Sequence, residues 1–207
     1  DGQFGLVYAL GTVSSSLILV GFAKLIDHID LRFYSFIISL GLAIACLGVY
    51  ILYNSVVFLF FIIFALRFFG QGAMSHAGET TMARYFGKNR GKAISVGTFG
   101  GMIGVMILPL IVVYFTKIIG WQHVWLVASL SILIFFLPLL FLSLQNQNIR
   151  HSNFTESIKD NEESKKWKTR EVVVDKKFYV YLPLSIATAF ISTGLTFHQI
   201  FIINQKG

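Results

Sequence analysis

The 207-residue sequence is 55% apolar and only 13% charged, with a formal net charge of +7. A soluble domain of this size carries about a quarter charged residues; here the apolar residues come in runs, with no charge in 33–66 and only Lys117 in 93–143, which excludes a water-soluble globule. The basic residues sit in short stretches between those runs rather than along a solvated face, so the positive charge does not make a nucleic-acid binder either.

A helix needs about 20 apolar residues to cross a hydrocarbon core of about 30 Å. Six segments satisfy that: 5–26, 33–53, 55–84, 93–116, 122–143 and 178–203. The ten-residue alternation of β-barrel strands is not seen, so the expected fold is all-α and polytopic. The chain opens at Asp1-Gly2 with neither an initiator Met nor a signal peptide, and the expectation is an internal fragment.

In the first span, Ser14, Ser15 and Ser16 are expected to hydrogen-bond their own helix. The second holds the one cysteine, Cys46, which reads as a small apolar filler and leaves no disulfide or cysteine metal site. The third, long enough to tilt or project beyond the bilayer, carries the main chemical signals. Arg67 lies inside it, where a charge costs about 2.5–3.5 kcal/mol on insertion scales. Two readings are open: a cavity ligand for an anionic substrate or for coupling, and a buried Arg satisfied by helix carbonyls and by Gln71 one turn on. His76 and Glu79, three residues apart, are expected to share a face, and Glu79 is the one acid inside any span. They suit a proton relay; an ion pair between Glu79 and Arg84 or a neighbouring helix at the cytoplasmic mouth is the competing expectation.

The fourth span places Gly97, Gly101 and Gly104 with Gly100 in two overlapping Gly-x-x-x-Gly pairs, which predict close approach of another helix, and Pro109 predicts a bend. Trp121 and Trp125 open the fifth span as interface anchors. Segment 144–177 is polar and carries both charge signs, so a flexible linker is expected, its last part from Trp167 to Lys177 forming a short helix along the membrane surface. Asn153-Phe154-Thr155 fits a glycosylation pattern by chance. In the sixth span Thr193, Thr196, His198 and Gln199 are polar candidates for a cavity, with satisfaction by a partner helix as the competing reading.

Loop charges set an orientation. Of seventeen basic residues, fourteen fall in one set of loops and two in the other, with Arg67 in a span. The rich side is expected to be cytoplasmic, with both ends of the chain outside.

Ala23 to Arg32 supplies Asp27 and Arg32 to the pattern Gly-x-x-x-Asp-Arg-x-Gly-Arg-Arg/Lys, departing from it at Ala23, His28, Asp30 and Leu31. Arg67-Phe68-Phe69-Gly70-Gln71-Gly72, the loop Arg90-Gly91-Lys92-Ala93 and the run Thr193-Gly194-Leu195-Thr196-Phe197-His198-Gln199 follow in order. Together they resemble the major facilitator superfamily, with the loop and the last run similar to its monocarboxylate and oxalate/formate branch. The resemblance covers essentially the whole chain. It implies helices 2 to 7 of a twelve-helix fold: 1–143 as an N-terminal bundle lacking its first helix, 144–177 as central cytoplasmic linker and 178–207 as the first helix of the C-terminal bundle.

What it implies functionally is a monomeric secondary transporter working by alternating access in a bacterial inner membrane, carrying a small organic anion such as a carboxylate. Arg67, Gln71, His76, Glu79, Thr193, His198 and Gln199 would bind or couple; Asp27, Arg32, Arg84, Gly97, Gly101, Gly104 and Pro109 would gate. No cofactor or metal is expected, while a coupling proton or counter-transported anion suits the scheme. The rivals are a drug or metabolite exporter of the same fold and an intramembrane enzyme or receptor. The enzyme is disfavoured, because His76-Ala77-Gly78-Glu79 is not a His-Glu-x-x-His zinc site and no Gly-x-Ser-x-Gly serine is present, while the lack of a phosphate-binding Gly-x-x-x-x-Gly-Lys-Ser/Thr loop leaves no ATP engine and supports a secondary transporter.

The orientation has a direct test. Cysteine placed at Asn54 should react with an impermeant maleimide from outside, and cysteine at Asn89 only after permeabilisation; the opposite pattern inverts the assignment.

Overall fold

The computed structural model describes residues 2–52, 55–145 and 169–206, and among them every regular element is helical. Helix α1 (Gly2–Phe22) runs on through a tighter 3-10 turn, Ala23–Asp27. It is followed by α2 (Leu31–Leu52), α3 (Val56–Tyr85), α4 (Arg90–Ile119) and α5 (Trp121–Ser143). All five are long and apolar enough to cross a membrane. Beyond them lie α6 (Thr169–Val174) and α7 (Lys176–Lys206). Residues 146–168, with Asn153 and most of the expected linker, fall outside the described residues, as do Tyr53 and Asn54. The chain divides into two compact units, Asp1–Ser157 and Ile158–Gly207.

Helix is the form in which a lone segment satisfies its own backbone in hydrocarbon. Side-chain hydroxyls follow the same rule: Ser15 and Ser16 both donate to the Thr12 carbonyl, at 2.8 and 2.9 Å, as expected for that serine run. The Asp30 carboxylate accepts the Arg32 amide at 2.7 Å and so caps the start of α2. A single residue, Gly120, turns the chain from α4 into α5 with φ +81° and ψ 152°, a backbone region that only glycine occupies readily.

Within the first unit α2 is the central helix. It packs against α3 on one side and α5 on the other, while α1 lies along α3. Its buried residues are Leu31, Tyr34, Ser35, Ile38, Ser39, Ala43, Ala45 and Cys46; the run from Leu31 to Ser39 keeps to three- and four-residue steps, and Ala43 and Ala45 broaden the buried face towards the far end. Leu31, Tyr34 and Ile38 among them cluster with Ile26 of the 3-10 turn and Ala73 and Ala77 of α3, with Phe22 stacked on the Tyr34 ring. Cys46 is buried as a filler should be. A fully buried polar bond ties two helices of the bundle: Ser129 Oγ of α5 donates to the Ala43 carbonyl of α2 at 2.8 Å.

Close approach happens at other glycines than the sequence suggests. A Cβ on Gly41 would stand 2.6 Å from the Phe69 ring, and one on Gly72 would stand 2.9 Å from Leu19. The glycines of α4 are different. Gly100, Gly101 and Gly104 have nothing within 4 Å of an added Cβ, and Gly97 meets only the flexible Met82 side chain. Of these four glycines, then, only Gly97 has a neighbour from another helix among the described residues, the Met82 side chain of α3, and Gly97 and Gly101 line an open groove. None of the residues of α4 is buried, and the helix continues unbroken through Pro109.

Gly41→Ala should lower the thermal unfolding midpoint of the detergent-solubilised full-length protein, at a cost of about 1–3 kcal/mol from overpacking against Phe69. Gly101→Ala should leave it unchanged. Ser129→Ala should cost about 0.6–1.7 kcal/mol, the range of interhelical hydrogen bonds in membranes.

Candidate functional site

Helix α3 is not uniform. From Leu66 to Ala73 its turns widen into π-helix, a form that concentrates at functional positions because it re-aims side chains. The segment holds Arg67, Phe68, Phe69, Gly70 and Gln71, the residues the sequence singles out in this span. Phe68 is buried and anchors the segment from below, stacked on Phe64 and edge-on to Phe22 and Phe69.

Arg67 is half-buried where α1 and α3 meet. Its guanidinium lies over the Tyr8 ring, 4.4 Å from Cζ to the ring centroid, and Nη1 donates to Gln71 Oε1. A cation on an aromatic face and an amide oxygen offset part of its desolvation without neutralising it. No carboxylate pairs with Arg67 among the described residues. The sequence pointed to Arg67 and Gln71 but not to Tyr8, whose only sequence signal is an aromatic residue in the neighbouring span.

The charged ends are arranged separately. The Arg84 guanidinium at the end of α3 pairs with the Asp27 carboxylate at the end of the 3-10 turn, and also donates to the Ile26 carbonyl at 3.4 Å. Arg32 at the start of α2 donates from Nε to the Leu144 carbonyl at 2.8 Å and from Nη2 to that of Gln145. It thus places a cation on the otherwise unsatisfied C-terminus of α5. Asp27 ties α1 to α3, and Arg32 ties α2 to α5.

This arrangement bears on two expectations. Arg84 is taken by Asp27, so Glu79 has no ion pair there. No hydrogen bond joins His76 to Glu79 among the described residues: the His76 Nε2 faces Thr80 Oγ1 at 3.4 Å, and its buried Nδ1 has no partner. Neighbouring positions on a helix share a face, yet each side chain here turns to a different space. Glu79 lines a groove of about 670 Å³ between the lower half of α3 and α4, together with Ser75, Gly78, Met82, Gly97, Thr98, Gly101, Met102, Val105 and Met106. The sequence hint for that wall is the four-residue spacing of Met102 and Met106.

On α7, Thr193 is exposed, while the side chains of His198 and Gln199 lie outside the described residues. No cluster of three or more His, Cys, Asp or Glu able to hold a metal occurs among the described residues.

A family model described as Major Facilitator Superfamily matches residues 1–206. Neither the curated proteins nor the solved structures contain a match.

Loss of the Asp27–Arg84 pair can be measured apart from any transport. With Asp27 half exposed, Asp27→Ala should cost no more than about 1 kcal/mol in thermal unfolding. The exchange Asp27→Arg with Arg84→Asp should recover part of that loss, whereas either half of the exchange alone should be worse than Asp27→Ala.

Proposed function

The chain belongs to the Major Facilitator Superfamily and is therefore part of a multi-pass secondary transporter rather than an enzyme; on that premise we propose that it carries a small organic anion, such as a carboxylate, by alternating access. The observation that supports this reading is Arg67. It is a guanidinium in mid-span with no carboxylate partner among the described residues, oriented by Gln71 and the Tyr8 ring.

An unpaired intramembrane cation is retained where something anionic meets it. A carboxylate matches the planar fork of a guanidinium through two parallel hydrogen bonds. Gln71 occupies one edge of that fork, which leaves the remaining N–H groups for cargo. The similarity to the monocarboxylate and oxalate/formate branch favours the same class of cargo. Thr193, His198 and Gln199 are proposed as the contribution of the sixth span, and Asp27, Arg32 and Arg84 as groups that close the cytoplasmic end. We read that end as cytoplasmic from the loop charges, with both termini outside, and the membrane as a bacterial inner one. It works as a monomer, with the bilayer and the small-molecule cargo as its partners.

The drug-exporter alternative gains nothing from Arg67, since a bare cation repels the common cationic drugs.

Uptake of radiolabelled mono- and dicarboxylates by proteoliposomes containing the full-length protein tests the proposal. Arg67→Ala should reduce uptake at least a hundredfold and Arg67→Lys by about tenfold, because an ammonium keeps the charge and loses the fork. Tyr8→Leu should weaken uptake less than Arg67→Ala. Anion uptake that Arg67→Ala leaves unchanged refutes the role assigned to this residue.

A further inference from the structure

The groove between α3 and α4 is distinct from the Arg67 site. Glu79 stands twelve residues beyond Arg67, roughly 18 Å along a regular helix, and the two charges are opposite in sign. Glu79 is the one acid inside the body of a described span, Asp27 standing at the very end of the first, and no hydrogen bond or ion pair satisfies it among the described residues. Its nearest basic neighbour on the helix, Arg84, is held by Asp27. The walls around it are apolar, and three of the chain's four methionines, Met82, Met102 and Met106, line them.

These features select a class of occupant. A hard metal ion needs several converging oxygens, and here a single carboxylate stands beside hydroxyls; the Thr98 hydroxyl is already committed to the Ile94 carbonyl at 2.9 Å. A neutral apolar molecule would leave the carboxylate without a counter-charge. Thioethers are soft and conformationally adaptable, and they suit apolar bodies of irregular shape. The bare backbone at Gly101 leaves space along one wall, with the Met82 side chain filling that at Gly97, and a volume of about 670 Å³ is that of a pocket for a drug-sized molecule.

We propose that this groove binds an organic cation with an apolar body, the Glu79 carboxylate meeting its ammonium or phosphonium charge and the methionines its hydrocarbon. Two sources share that chemistry: a free amphiphilic cation, and a membrane lipid with an amine headgroup. The site does not depend on anion transport at Arg67.

The probe is radiolabelled tetraphenylphosphonium, titrated onto the full-length protein in phosphatidylcholine nanodiscs. The expected result is saturable binding that weakens at least tenfold in Glu79→Gln and persists in Arg67→Ala. Tetraphenylborate, of the same shape and opposite charge, should not compete. Gly101→Leu provides a second variant should Glu79→Gln fail to fold: its side chain enters open space rather than a neighbour, and it should also weaken binding at least tenfold. Adding phosphatidylethanolamine separates the sources. Competitive loss of the probe identifies the lipid as resident occupant, and undiminished binding identifies the free cation. No saturable binding to the wild-type protein, or binding that both Glu79→Gln and Gly101→Leu leave intact, overturns the proposal.

Discussion

A charge or an unpaired polar group placed in hydrocarbon must find a partner, and the described structure is organised around that requirement. Backbone groups meet it by forming helices, and hydroxyls by bonding to the turn before them. Asp27 meets it with Arg84, and Arg32 with the carbonyls that end α5. Once these are accounted for, two charged residues of α3 remain without an opposite charge. Arg67 has only an amide and an aromatic face, and Glu79 has only a groove. Among the described residues, these are the charges that the fold leaves without an opposite partner.

The packing explains why these two positions stay separate. The bundle closes tightly around α2, where Gly41 admits the Phe69 ring and Ser129 reaches the Ala43 carbonyl. Phe69 belongs to the widened segment, so the same aromatic cluster that fixes α3 against α2 also fixes the turn carrying Arg67. Lower on α3 the neighbour is α4, which buries none of its residues and offers glycines instead of bulk. The turn carrying Arg67 is held against α1 and α2, while the face carrying Glu79 opens towards α4 even though Ala73 and Ala77 of the same stretch stay buried in the core, so one helix gives its two charges two different environments.

Much of this was legible in the sequence. Lipid-length apolar runs located the five helices to within a few residues at most ends, because insertion depends on summed hydropathy and little else. Arg67 and Gln71 stood out because a charge in an apolar run is costly. Partner choice was less legible. Arg84 looked able to reach Glu79 on its own helix, yet Asp27, 57 positions away in sequence, holds it, and one-dimensional spacing carries no information about such a pair. The α4 glycines looked like a packing seam, but Gly-x-x-x-Gly specifies that approach is allowed, not that a helix is there. The π turns were invisible for a related reason. They coincide with a cluster in which Phe68 meets Phe64, Phe69 and Phe22, and a count at 3.6 residues per turn assumes they do not exist. Each widened turn sets the following residues back by about one position, roughly a hundred degrees of helical phase.

The widening has a further consequence for thickness. Thirty residues of regular helix reach about 45 Å, which is the bilayer with its headgroups rather than its apolar core alone. Such a surplus is usually taken up by tilting or by protruding into the headgroups. Turns that hold more residues convert part of the length into girth. In α3, then, the extra residues that give Arg67 its setting also let an over-long helix match the membrane more nearly upright, so the chemistry of the site and the fit to the lipid draw on the same eight residues.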